Sequence, residues 1–278
     1  MAQILSLISS KGGVGKSTFV INFSSALADM GLRVLVVDLD SQQSLSKFFK
    51  YATTPTKGLL EFIIKKDTTT PVETHIPNLH CIVNNDPLET LNKWMDEEFS
   101  GCFALNKVLK RLQDNYDIII IDTQGKDGRG QLQEMALVAS DIVITPTTPD
   151  VMSSQELPKA IRIYDHVVKG LEDIGVSSQP PTLKILINRL DNTIETKTVT
   201  AEIRKNFSNI AKHITVLKTA IPSRVVYRKC ISHQIPAHHI EKKSIEGGQE
   251  AVDILESLVH EILPHYEDLS LSAEVQNG

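Results

Sequence analysis

The sequence predicts an α/β fold, a mostly parallel, twisted sheet flanked by helices on both faces. Apolar runs of strand length alternate with longer segments of helical periodicity along the chain, the pattern of parallel strands joined by crossover helices. The first run opens into a glycine-rich turn followed at once by a helical pattern, and two later runs end on aspartate. A chain of 278 residues that is 41% hydrophobic can bury the core of one large domain.

Ile4-Leu5-Ser6-Leu7-Ile8 forms the first strand, and Val20, Phe23, Leu27 and Met30 set one stripe of the first helix. Arg33–Asp38 is the second strand, Tyr116–Asp122 the third and Asp141–Pro146 the fourth, with Leu183–Asn188 and Ile214–Leu217 as two more. Helical periodicity covers 103–114, 130–139, 152–169, 196–207 and 245–263, the last with Val252, Leu255, Val259 and Ile262 on one core-facing stripe. Residues 50–82 carry the least pattern: Tyr51–Lys57 and Asp67–Pro71 read as turns with a short helix, Leu59–Ile64, between them, and Trp94 beside Met95 and Leu91 reads as core. One domain is expected over 1–265, with a flexible acidic tail over 266–278 that lacks periodicity.

No apolar stretch approaches the length of a membrane span. The first strand begins almost at once, so no leader is expected. Cys81, Cys102 and Cys230 form no C-x-x-C pair and are odd in number, which argues against a disulfide frame and for a cytoplasmic protein. The net charge of −5 hides an asymmetry. Residues 184–243 hold twelve Lys and Arg against four Asp and Glu, whereas 250–278 hold seven acids and no Lys or Arg. That imbalance suggests a basic face for a polyanion, unless the lysines and arginines are scattered over a solvated surface.

The turn after the first strand reads Ser10-Lys11-Gly12-Gly13-Val14-Gly15-Lys16-Ser17-Thr18. Glycines let successive backbone N–H groups point inward at phosphate oxygens, and the following helix N-terminus adds positive partial charge. Lys16 is placed to reach the β- and γ-phosphates, Ser17 to put its hydroxyl on Mg²⁺ and Thr18 to bond the α-phosphate. The pattern G-x-x-x-x-G-K-[ST] wants glycine at position 10, where this chain has Ser10, and it carries an additional lysine, Lys11. A lysine there cannot easily fold back onto its own loop's phosphates, so it suits a nucleotide held by a second subunit. The bland alternative is a glycine-rich turn with exposed lysines.

In open parallel sheets chemistry collects beyond the carboxyl ends of the strands. Asp122 ends an apolar run and reads as the acid of a Mg²⁺–nucleotide site. Asp38 and Asp40 follow the second run; Asp40 is the candidate for orienting an attacking water, and Asp38, two residues earlier, for supporting the metal shell. The loops behind them, Ser41-Gln42-Gln43 and Thr123-Gln124-Gly125-Lys126-Asp127-Gly128, are polar or glycine-rich, as expected of segments that sense a γ-phosphate.

Together, K-G-G-V-G-K-S-T at 11–18, V-V-D-L-D-S-Q at 36–42 and I-I-I-I-D-T at 118–123 resemble the ParA/MinD group of P-loop ATPases with a deviant Walker A box. The motif order runs over 1–263, most like small ParA partition proteins without an N-terminal helix-turn-helix domain. The resemblance implies ATP and Mg²⁺ as cofactors and an ATP-sandwich homodimer in which Lys11 crosses to the partner's phosphates. It implies catalysis by Lys11, Lys16 and Asp40, a metal held with Ser17, Asp38 and Asp122, adenine contacts from Asn188 and Pro222, non-specific DNA binding and release by a ParB-like centromere-binding adaptor. Arg189, Arg224, Arg228 and Lys229 head the pool of DNA contacts, which also includes Arg204, Lys205, Lys242 and Lys243. Nucleoid association in the cytoplasm would follow.

Two positions depart from the family pattern: Ser41 replaces a proline after the second motif, and Thr123-Gln124-Gly125 lacks the proline of the loop after Asp122. The acidic C-terminal segment argues against a membrane-positioning relative, and the absence of a cysteine near Asp122 against an iron–sulfur one. A switch that positions a protein assembly or conjugation machinery would share this core, while a small-molecule kinase would not need Lys11. His233, His238 and His239 lie close together, but no Cys or acid completes a metal set at useful spacing, so they read as surface or packing residues.

Overall fold

Five nearly uninterrupted apolar runs form the centre of the sheet, because strands covered on both faces cannot alternate apolar with polar residues. In the computed structural model, residues 1–98, 100–125, 130–176, 179–207, 210–241 and 250–271 are described. The elements run β1 (Gln3–Leu7), α1 (Lys16–Asp29), β2 (Val34–Asp38), α2 (Ser44–Phe48), α3 (Leu59–Ile63), β3 (Val72–Glu73), β4 (Leu79–Ile82), α4 (Thr90–Glu97), α5 (Ala104–Leu109), β5 (Ile118–Asp122) and α6 (Gln131–Ala139). They continue with β6 (Ile142–Thr147), α7 (Val151–Asp173), β7 (Thr182–Leu190), α8 (Ile194–Phe207), β8 (Ile214–Val216), β9 (Ile221–Pro222), α9 (Val225–His233), α10 (Ala237–Ile240) and α11 (Ala251–Ile262).

The strand order is β3-β4-β2-β5-β1-β6-β7-β8, with β9 paired to β7. Every pairing is parallel except β3 with β4, as the sequence predicts. Pleating sends alternate residues to opposite faces. Leu5, Val36 and Ile120 meet α1 and α11 through Phe23, Leu27, Leu255 and Leu258, while Ile4, Val37 and Ile121 meet α3, α5 and α6 through Phe62, Leu105 and Met135. Val143, Leu183 and Ile185 extend the second layer to α7 and α8, with Tyr164 fully buried. The register aligns Leu7, Asp38 and Asp122 at the carboxyl ends of three adjacent strands, which brings the glycine-rich turn and both acids to one edge.

Several elements escape the sequence pattern. Residues 72–82, to which the sequence pattern assigns no element, contain β3 and β4; β4 pairs in parallel with β2, and the short antiparallel β3 lies outside it. The four residues of β4 include His80, whose ring meets the Tyr116 hydroxyl at 2.9 Å, so the apolar run is too short to stand out. The helix expected over 103–114 ends at Leu109 and continues as turns. Helix α7 runs beyond the expected 169 to Asp173 and stops where Gly175 takes a left-handed φ of 67°. Trp94 is half-buried and packs at the edge of the second layer. Residues 266–271, expected in the tail, pack on the fold through Tyr266, Leu269 and Leu271. Leu271 is buried, and its N–H is held by Glu256. Residues 272–278, and the expected helical residues 245–249, lie outside the described residues.

Candidate functional site

After β1 the chain turns through Gly15 and enters α1 at Lys16. Gly13 and Gly15 take φ of 77° and 91°, which other residues adopt only with strain. A Cβ at Gly15 would also stand 2.3 Å from Asn188 Nδ2. The Asn188 amide donates to the Val14 carbonyl at 2.7 Å, so the end of β7 is pinned to the turn. Lys16 is buried, and its Nζ donates to Ser9 Oγ at 2.6 Å. Burial holds the Lys16 pKa below the usual lysine value, opposed by the nearby charges of Asp122 and Asp40.

The two strand-end acids differ in how they are satisfied. Asp38 is fully buried, and both of its oxygens accept protein hydrogen bonds: Oδ2 from the Ser46 N–H at 2.8 Å and its hydroxyl at 2.6 Å, Oδ1 from the Asp40 N–H at 3.0 Å. Burial raises its pKa to about 6 against those bonds. It ties β2 to α2 and fixes the turn that carries Asp40, whose own Oδ1 accepts from Gln42 N–H at 2.9 Å. Asp122 is equally buried, yet neither of its oxygens has a hydrogen-bond partner among the described residues. Burial and then the proximity of Asp38 raise its pKa to about 7, against the Ser17 hydroxyl and Lys16. A buried carboxylate with open lone pairs, beside the Ser17 hydroxyl, suits a hard cation that takes oxygen ligands. Ser17 and Asp122 would hold Mg²⁺ here, and the ion would supply positive charge to phosphate oxygens; Asp38 stands behind them, committed to Ser46 and Asp40.

The loop after Asp122 closes over the glycine turn. The buried Thr123 hydroxyl donates to the last carbonyl of β1, Leu7. Gly125 lies so near that an added Cβ would meet the Lys11 carbonyl oxygen at 2.5 Å and Lys16 Nζ at 2.8 Å. Gln133, buried on α6, donates to Ser9 O at 2.9 Å and Gln124 O at 2.5 Å, linking the two loops. Ser41 uses its hydroxyl on Glu89 at 3.3 Å, a contact that the family's proline cannot make. Lys11 points to the start of α7, where Nζ donates to Ser153 Oγ at 3.2 Å; Ser153 also bonds Asp150 and Thr148. Lys126, Asp127 and Gly128 lie outside the described residues.

Beside Gly15 and Thr18 opens a cavity of about 600 Å³. Asn188 and Pro222, expected near a base, both line it, with Phe19 and Tyr227 as apolar walls. Arg189, Arg224 and Arg228, expected on a DNA face, also line this cavity. Arg224 is paired with Glu241, whose second oxygen accepts the Ala251 N–H at 2.8 Å, so it joins α9 to the start of α11. Arg189, Arg228 and Lys229 are exposed. Arg204 is spent on the Lys218 carbonyl at 2.7 Å.

The structure therefore gathers Lys11, Lys16, Ser17, Asp38, Asp40, Asp122, Asn188 and Pro222 at one sheet edge. It adds Ser9, Gln133, Ser46 and Ser153, which lie outside the recognisable motifs and carry no sequence signal of their own. It also corrects the reading of the histidines. Asp29, more than two hundred residues upstream, joins His238 and His239 in one cluster.

Comparisons with known proteins give the chain's relatives. An AAA domain family model matches residues 2–174. Sporulation initiation inhibitor protein Soj of Bacillus subtilis strain 168 is 27% identical over 91% of this chain and 97% of its own length. The virulence plasmid ParA family protein pGP5-D of Chlamydia psittaci is 27% identical over 73% of this chain and 81% of its length. Apo McdA of Cyanothece superposes with a TM-score of 0.76 at 20% identity, covering 93% of this chain and all of that one. A Rhizobium rhizogenes relative is 28% identical over 68% of this chain, and the match spans half of that protein's length. The chain belongs to the ParA/MinD family of P-loop ATPases.

Two outcomes follow from the geometry. The Gly125→Ala methyl group has no room between Lys11 and Lys16, so affinity for a fluorescent ATP analogue should fall about 10–100-fold; unchanged affinity would place the loop elsewhere. The folded-state pKa of Asp122 is raised to about 7 from the ordinary aspartate value of 3.8, so the folded chain holds an extra proton between those values. This group's favourable contribution is complete below about pH 4 and is lost as pH rises through about 7. Without Mg²⁺ and nucleotide, the melting temperature should fall across that window more steeply in the parent than in Asp122→Asn; parallel curves would contradict the assignment.

Proposed function

We propose that the chain is a Mg²⁺-dependent ATPase of DNA segregation, active as an ATP-sandwich dimer. The observation that carries this is Lys11, an amine beside an otherwise complete phosphate-binding turn. In this protomer it rests on Ser153 at 3.2 Å rather than on its own turn. In the dimer Lys11 leaves Ser153 and neutralises the partner's triphosphate. Lys16, Ser17, Thr18 and the backbone of Gly12 to Gly15 bind the phosphates, and Asn188 and Pro222 line the base cavity. Asp40 orients the attacking water, because Asp38 and Gln42 fix its turn from both sides. Asp122 holds the metal together with Ser17.

DNA binding follows from pairing two protomers. Arg189 and Arg228 stand exposed at the cavity and Lys229 is exposed beside Arg228 on α9, and a dimer doubles their number. Each added phosphate contact releases counterions, so affinity climbs steeply with the count. Similarity to a protein named as a virulence plasmid ParA family member supports a partition role, and a ParB-like centromere-binding adaptor would then trigger hydrolysis.

Light scattering and a DNA mobility shift, each run with ATP and with ADP, test the proposal. ATP should give a dimer that retards DNA, ADP a monomer that does not. Asp40→Ala should hold ATP and remain on DNA, whereas Lys11→Ala should bind ATP yet stay monomeric. Equal DNA retardation with and without nucleotide, or normal hydrolysis by Asp40→Ala, would overturn the scheme.

A further inference from the structure

The far end of α1, opposite the phosphate turn, carries a cluster that the ATPase reading does not use. Asp29 is the last residue of that helix, where the helix dipole disfavours a negative charge. Nε2 of His238 and Nε2 of His239 each lie 2.7 Å from the same Asp29 oxygen, Oδ2. Adjacent residues of a helix point about 100° apart, yet here both rings turn onto one atom, with centroids 4.4 Å apart. The site is enclosed: side-chain exposure is 2% for His238, 10% for Asp29 and 28% for His239.

We propose that Asp29, His238 and His239 bind a divalent transition ion of the zinc class. Two imidazole nitrogens and a carboxylate oxygen are the donor set for such an ion, whereas calcium and magnesium prefer oxygen throughout. All donor atoms of the cluster lie within 4.8 Å of one another. Zinc bonds of about 2.0–2.1 Å separate tetrahedral ligands by about 3.4 Å, so the carboxylate and rings move apart by less than ~1 Å when the ion enters. The ion takes the lone pair of each Nε2, and each ring carries its proton on Nδ1 instead. His238 Nδ1 is buried and has no hydrogen-bond partner among the described residues. That leaves the ring without the outer support most metal-binding histidines have, which sets affinity about 10–100-fold below a fully supported site.

The consequence is a staple between α1 and α10. Asn22 of α1 already accepts the Ala237 N–H at 2.7 Å, and the α9 helix just before it contributes Tyr227 and Arg228 to the cavity beside the phosphate turn. A bound ion would lock this second connection, at the opposite end of the helix from Lys16.

The full chain, stripped with a chelator and free of nucleotide and Mg²⁺, is titrated with Zn²⁺ in competition with a chromophoric chelator. The proposal expects one equivalent bound and a higher melting temperature with zinc. Because His239 is the most exposed of the three side chains, His239→Gln should fold normally and bind at least about tenfold more weakly; if it does not fold, Asp29→Asn supplies the same comparison. Asp122→Asn should bind zinc as the parent does. Failure of the parent to compete at ~100 µM zinc, unchanged binding in His239→Gln, or loss of binding in Asp122→Asn would each overturn the assignment, the last by moving the ion to the phosphate turn.

Discussion

The structure turns on an electrostatic constraint at the ends of β2 and β5. Two carboxylates, Asp38 and Asp122, and one amine, Lys16, are buried within the same few residues of sheet edge. Charges removed from water must be neutralised, hydrogen-bonded or matched. Asp38 is hydrogen-bonded to α2 and to the Asp40 turn, and Lys16 to Ser9. Asp122 has no such partner among the described residues. That carboxylate, in register with the end of β1, suits the crevice to a cation with oxygen ligands.

Around this crevice the loops are joined by polar contacts rather than by apolar packing. Asn188 links β7 to the phosphate turn, Gln133 links it to the loop after Asp122, and Ser153 holds Lys11. Single hydrogen bonds contribute about 0.5–1.5 kcal/mol each, small enough to exchange for bonds to a ligand. The Ser41 departure from the family pattern fits the same logic: its hydroxyl reaches Glu89 ahead of α4, an exchangeable bond in place of a rigid ring.

Much of this was legible in the sequence because the central strands are long apolar runs and the phosphate turn has a spacing that few other functions require. Lys11 through Thr18, Asp40 and Asp122 all lie where the residues alone place them. The β3–β4 side of the sheet was not legible: β3 is two residues long and β4 four, and the pairing of β4 with β2 is set by tertiary contact rather than by pattern. Nor were Ser9, Gln133 and Ser153, since ordinary polar residues become partners only when distant segments meet. Asp29 with His238 and His239 shows the same limit at its largest, because ligand spacing along a chain is informative only when the ligands are local. Arg224 shows the converse, a basic residue in a basic segment whose charge is spent on Glu241.

Binding of Mg²⁺ with a non-hydrolysable ATP analogue, measured calorimetrically near pH 6 in two buffers of different ionisation enthalpy, tests the central claim most directly. If Asp122 waits protonated in its crevice until a cation arrives, complex formation releases close to one proton more from the parent than from Asp122→Asn, the nucleotide's own phosphate protons being common to both. Equal proton release by the two chains would mean that the buried carboxylate is already charged and matched, and the account would fail.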